Sequence, residues 1–136
     1  MNNLYSIGNQ IGKIFHTKCK IKADTCSVEL HRDFKVLVQG RPSQSVTPVG
    51  ISFESLDQNG VALNLAEITL LQEEIPGFIS AVVKQGLIVS ALHNHWIFTN
   101  PTLFYLHLQS VEPPLDFAKK LSQAFRTLRN HPVPET

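Results

Sequence analysis

"ISFESLDQNGVALNLAEITLL", residues Ile51 to Leu71, decides the fold. Two β-rich runs flank Asn59-Gly60, and an Asn-Gly pair supplies the positive φ angles that a tight hairpin turn needs. Two adjacent strands are therefore expected to pair locally. One residue breaks the pattern: Glu67 stands where an alternating strand would otherwise place an apolar side chain.

Downstream, "EEIPGFISAVVKQG" changes period. Ile75, Phe78, Ile79, Val82 and Val83 form one apolar stripe, which predicts a helix over 74–85. Glu73, Glu74 and Pro76 suit its first turn, and Gly86 suits its end. "LIVSALHNHWIF" and "LFYLHLQSV" then read as two strands joined by the turn residues "TNPT". A last helix, from Pro114 to about Arg129, turns Leu115, Phe117, Ala118, Leu121, Phe125 and Leu128 inward. Residues 130–136 are expected to fray.

Upstream, Leu4, Ile7, Ile11, Ile14 and Phe15 recur at helical spacing over residues 3–15. "KCKIKADTCSVEL" reads as a hairpin around Ala23-Asp24, and "FKVLVQG" as a strand stopped by Gly40. "RPSQSVTPVG" is a connection. Hairpin-linked strands with separate N-terminal, central and C-terminal helices define an α+β fold on a mainly antiparallel sheet. No βαβ repeat, GxGxxG or Walker loop supports a nucleotide fold.

The chain has 136 residues, 43% hydrophobic and 17% charged. These values predict one globular domain over 1–136 with a core of its own. A formal charge of +1 gives no electrostatic case for nucleic acid or an anionic membrane. Lys119, Lys120, Arg126 and Arg129 read as a solvated helix face. "MNNLYSIGNQIGKIF" does not have the form of a signal peptide, and no stretch reaches about 18 apolar residues, so a cytoplasmic setting is expected. In that setting Cys19 and Cys26 are expected as small semi-buried residues rather than a disulfide.

Chemistry concentrates in "ALHNHWIFTNPTLFYLHL", Ala91 to Leu108, which holds His93, His95 and His107. Alternation puts His93 and His95 on one strand face, with Trp96 and Phe98 on the other. If the hairpin closes at Asn100-Pro101-Thr102, His95 faces His107, with opposed Cβ atoms about 4.5–5.5 Å apart. Three converging imidazoles suit a divalent metal, zinc first, with an open fourth position of the catalytic kind. Manganese, iron and nickel also accept such ligands, more readily with a carboxylate, for which Glu67 is the first candidate before Glu54 and Glu29. A slip of one residue would separate the histidines.

The chain resembles the LppY/LpqO type of bacterial proteins. The resemblance rests on "AEITLLQEEIPGFISAV", "GLIVSALHNH", "NPTLFYLHLQS" and "DFAKKL", with "HRDFKVLVQG" supplying an Arg-Asp pair at Arg32 and Asp33. It covers nearly the whole chain from about residue 4, and Ala-Leu-His-Asn-His is its most specific element. It implies a recurring domain design that includes the His-Asn-His block and the later His, and it implies no reaction. The His-x-His pattern also occurs in cupins, but the preceding helix and the lack of a Glu soon after His95 exclude that assignment.

The functional expectation is a metal site at His93, His95, His107 and Glu67, serving hydrolysis or a related addition on a small polar substrate. The alternative is a non-enzymatic module in which the histidines line a small-ligand pocket, or a homo-oligomer formed through the face of Trp96 and Phe98.

Overall fold

A computed structural model describes residues 3–135. Ten strands run in chain order: β1 Lys20–Lys22, β2 Thr25–His31, β3 Leu37–Val38, β4 Arg41–Pro42, β5 Pro48–Glu54, β6 Ala62–Leu71, β7 Ile88–His93, β8 Thr99–Asn100, β9 Leu103–Glu112 and β10 Val133–Pro134. The helices are α1 Leu4–Ile14, α2 Ile75–Lys84 and α3 Pro114–Ala124. The main sheet is ordered β1-β2-β5-β6-β9-β7, all antiparallel, with β10 also on β2. A small second sheet is ordered β4-β3-β8. The α+β fold is the one that the alternation and the helical stripes require.

Strand alternation sorts the main sheet into two faces. Val28, Ile51, Ala66 and Leu108 point to the helices and join Ile7, Phe78, Phe117 and Leu121 in one buried core. On the far face, the small sheet covers only one end, where Val36 and Val46 pack on Leu71, Leu103 and Tyr105. The middle of that face is left uncovered, so Glu29 and Gln109 are exposed. The candidate site lies there.

The β5–β6 hairpin forms as expected, but through a longer loop. Gly60 takes a positive φ of 79°, while Asp57 Oδ1 accepts the N–H groups of Asn59 and Val61 and shapes the turn. In α2, Phe78 and Val82 are fully buried and Ile79 partly so, but Val83 is exposed at 52%. The helix presents a narrower stripe than its sequence suggests, because only one edge of it meets the sheet. In the last helix, Phe117, Leu121, Phe125 and Leu128 are buried as expected, although the α-helix tightens into a 3₁₀ turn at Phe125–Thr127.

Three expectations need correction. The tail is paired rather than frayed where it is described: Val133 pairs with His31 and Pro134 with Leu30, so β2 supplies backbone partners that composition cannot reveal. Thr136 lies outside the described residues. "FKVLVQG" forms only the two-residue β3, because it pairs with equally short neighbours instead of the main sheet. Cys19 and Cys26 form a disulfide. The β1–β2 turn brings their Cα atoms to 6.1 Å, inside the range a disulfide spans.

Candidate functional site

A single row of directly opposed residues crosses the uncovered face. Glu29 faces Gly50, Gly50 faces Glu67, Glu67 faces His107, and His107 faces Ala91. Glu67 and His107 are thus cross-strand neighbours on β6 and β9, and His107 Nε2 stands 3.4 Å from Glu67 Oε2. Opposed Cβ atoms on adjacent strands are close enough for such a contact without distortion.

His93 joins them from β7, but not in the expected register. The sequence places His95 opposite His107; the structure places Ala91 there and sets His93 opposite Tyr105. The longer connection causes the shift. Thr99 and Asn100 leave the hairpin to pair with Val38 and Leu37, which ends β7 at His93. A bulge at Ser90 then displaces Ile88 and Val89, beyond Ala91, by one further residue. The displacement from His95 to Ala91 is an even number of residues, so the side chains keep their face. His93 therefore reaches His107 diagonally, with the two Nε2 atoms 3.1 Å apart.

The protons in this group follow from its partners. His93 Nδ1 lies 3.2 Å from the carbonyl oxygen of Asn94, which can only accept, so Nδ1 carries the hydrogen. In neutral imidazole Nε2 is then an acceptor, and the short contact requires His107 to donate its Nε2–H. One proton on His107 thus faces a nitrogen of His93 and an oxygen of Glu67.

His95 lies beyond the end of β7. Its ring is exposed, 5.7 Å from the His93 ring between centroids and edge-on to Trp96 at 4.6 Å. Trp96 and Phe98, expected on the opposite strand face, sit in the same loop and are 45% and 72% exposed. Among the described residues, no group of three or more His, Cys, Asp or Glu is posed to hold a metal ion. The group stands as a hydrogen-bonded set of Glu67, His107 and His93, with His95 adjacent. Glu54 is apart from it, accepting a hydrogen bond from Thr25.

Tyr105 forms the base of the cluster, its ring 6.2 Å from His93 and 5.6 Å from His95. Its hydroxyl donates to the carbonyl of Val46. Burial, and secondarily the charge of Glu67, pushes its ionisation up to about 12. It is a neutral donor under ordinary conditions, fixed to the second sheet.

Sequence reasoning missed a different polar centre. Arg32 is buried and grips Glu74, whereas Glu74 reads in the sequence as an ordinary helix-start acid. A signal was present: Arg32 continues the inward-facing series Cys26, Val28, Leu30.

An antiparallel sheet with helices on one face and a histidine–carboxylate group on the other is the class of domain that these observations define. The chain belongs to the family described as Domain of Unknown Function (DUF1259), whose model matches residues 9–127. No curated protein matches the chain, and no solved structure does.

Proposed function

We propose that Glu67, His93 and His107, with His95 at the rim, form a divalent-metal site, zinc being the best fit. One observation carries this reading: His107 Nε2 stands 3.1 Å from His93 Nε2 and 3.4 Å from Glu67 Oε2. Ligands about 2.0–2.1 Å from a tetrahedral zinc lie roughly 3.3 Å from one another, so these two separations match edges of such a site. A cation would take the place of the Nε2 hydrogen that His107 directs at its neighbours, and that hydrogen would move to Nδ1. The Asn94 carbonyl would keep His93 in the tautomer that offers Nε2, as outer partners of metal-bound histidines do.

Two imidazoles and a carboxylate would hold the ion with a position to spare, and the metal would supply the Lewis acidity that makes water nucleophilic near neutral pH. The reading is thus metal-assisted hydrolysis or addition on a small polar substrate, with manganese, iron or nickel as alternatives to zinc. The resemblance to the LppY/LpqO type supports the same residues, because it joins the His-Asn-His block and the later His in one design. Titrating tag-free, dialysed protein with each metal tests the proposal. One equivalent should bind and raise the melting temperature, and His107→Ala should abolish both effects. No uptake of any of the four would overturn it.

Trp96, Ile97 and Phe98 favour a second reading, a binding or self-associating module. They are 45%, 70% and 72% exposed in one loop beside the histidines, a cluster that isolated surface apolar residues do not form. Sedimentation of wild type against Phe98→Ser distinguishes a dimer from a monomer.

No helix among the described residues is long and apolar enough to cross a membrane. The Cys19–Cys26 disulfide favours an oxidising compartment over the cytoplasmic one expected from the sequence. Thiol titration of denatured protein isolated from its own cells separates the two.

A further inference from the structure

Gly50 occupies the middle of β5, between two other strands of the main sheet. Glycine weakens a strand interior, and where it occurs it often marks a bulge or a place where something approaches closely. Neither usual structural demand applies here. Its φ is not positive, and β5 pairs in unbroken register with both neighbours. An added Cβ would meet only Glu29 Oε2, at 3.9 Å, an ordinary contact. What the missing side chain does is leave space. A concavity of about 300 Å³ opens on this spot, with Gly50, Ser52 and Leu65 in its lining and Glu29, Glu67 and His107 around them.

The charge of this concavity is one-sided. Two carboxylates line it and no lysine or arginine does. Glu67 is engaged by His107, but Glu29 forms no ion pair among the described residues. Its carboxylate lies over Gly50, two strand steps from Glu67, or about 9.5 Å at the backbone. Between the two acids lies the bare backbone of Gly50. The partly exposed side chain of Leu65, opposite Ser52, borders it within the same concavity, a surface that suits methylene groups.

We infer that Glu29 and the bare backbone of Gly50 form a subsite for an ammonium group carried on a short aliphatic chain. The proposed metal site would take the other end of such a molecule, so the substrate class is a primary amine with its reacting group a few carbons away. The position of that second end rests on the metal reading; the ammonium subsite does not.

Pentylammonium is the probe, with pentanol and pentanoate as neutral and anionic controls, on the metal-free protein. Backbone amide spectra should show saturable shifts at Gly50 and Ser52 with pentylammonium, at least tenfold weaker affinity for pentanol, and none for pentanoate. Glu29→Gln should reduce pentylammonium binding to the pentanol level. Gly50→Val, a strand-favouring residue with room for its Cβ, should abolish both while the other amides keep their positions. Equal binding of pentylammonium and pentanol, an unchanged affinity in Glu29→Gln, or shifts that avoid Gly50 and Ser52 would overturn the subsite. Protein that binds pentylammonium at Gly50 yet takes up no metal loses the metal reading and keeps the subsite. Metal uptake without these shifts does the reverse.

Discussion

Arg32 and Glu74 form a two-pronged ion pair inside the protein, Nη1 to Oε1 and Nη2 to Oε2, each 2.7 Å. The pair is a junction. Arg32 also donates to the carbonyl of Thr69 on β6, and Glu74 accepts the N–H groups of Leu71 and Arg129. The end of β2, the β6–α2 corner and the C-terminal segment are held by one buried carboxylate. Removing one member leaves the other charged and unpaired, which typically costs about 3–5 kcal/mol. Arg32→Met should show that loss in urea denaturation at pH 7. A cost below about 1 kcal/mol would mean that water reaches Glu74 and replaces its partners.

The same pair sets an acid limit. Burial by itself raises the Glu74 carboxyl, but the hydrogen bonds from Arg32, Arg129 and Leu71 outweigh it and hold the group below its ordinary value of 4.5. A carboxyl with a lowered folded-state pKa contributes stability above its unfolded pKa, and that stability is lost as pH falls through the folded value. The stability gap between wild type and Glu74→Gln should therefore be constant above about pH 5 and shrink progressively below about pH 4.5. A gap independent of pH down to 3 would contradict this account.

The helix faces can be checked with a matched pair of truncations. Leu121 is fully buried on α3, and Val83 is 52% exposed on α2. Leu121→Ala should cost on the order of 2–5 kcal/mol, whereas Val83→Ala should change stability by less than about 0.5 kcal/mol. Thermal or chemical denaturation of both variants decides it, and similar losses would place Val83 in an interface of the folded protein.

Zinc binding at His93 and His107 carries a tautomer signature. Because His107 directs its Nε2–H at His93 and Glu67, a metal taking that place must send the ring hydrogen to Nδ1, with no net proton released by a neutral ring. Nitrogen-15 spectra of the imidazoles should show His107 changing from the Nε2–H to the Nδ1–H form as zinc is added. An unchanged His107 tautomer at full zinc occupancy would mean that the metal sits elsewhere.

How much of this was legible in the chain can be judged from particular residues. Period-two alternation is local, so the face of each histidine within its own strand could be read directly. The common face of His93 and His107 rested on an assumed pairing and survived a register that was wrong. That Glu67 shares it came only from the strand pairing. The stripes of Phe78 and Val82, and of Phe117 and Leu121, were legible for the same reason. His95 opposite His107 was not correct, because the capture of Thr99 and Asn100 by β3, which lengthens the connection, leaves no mark in local periodicity.

The sequence by itself determined the element types, the antiparallel α+β class and the face on which each alternating side chain emerges, because these depend on neighbours along the chain. Only the tertiary structure decided which strands meet and in what register, that Arg32 finds Glu74, that Cys19 bonds Cys26, and that the C-terminal segment pairs with β2. Those outcomes are choices among distant backbone and side-chain partners. The energy separating one partner from another comes from burial and hydrogen bonding that exist only once the chain has closed on itself.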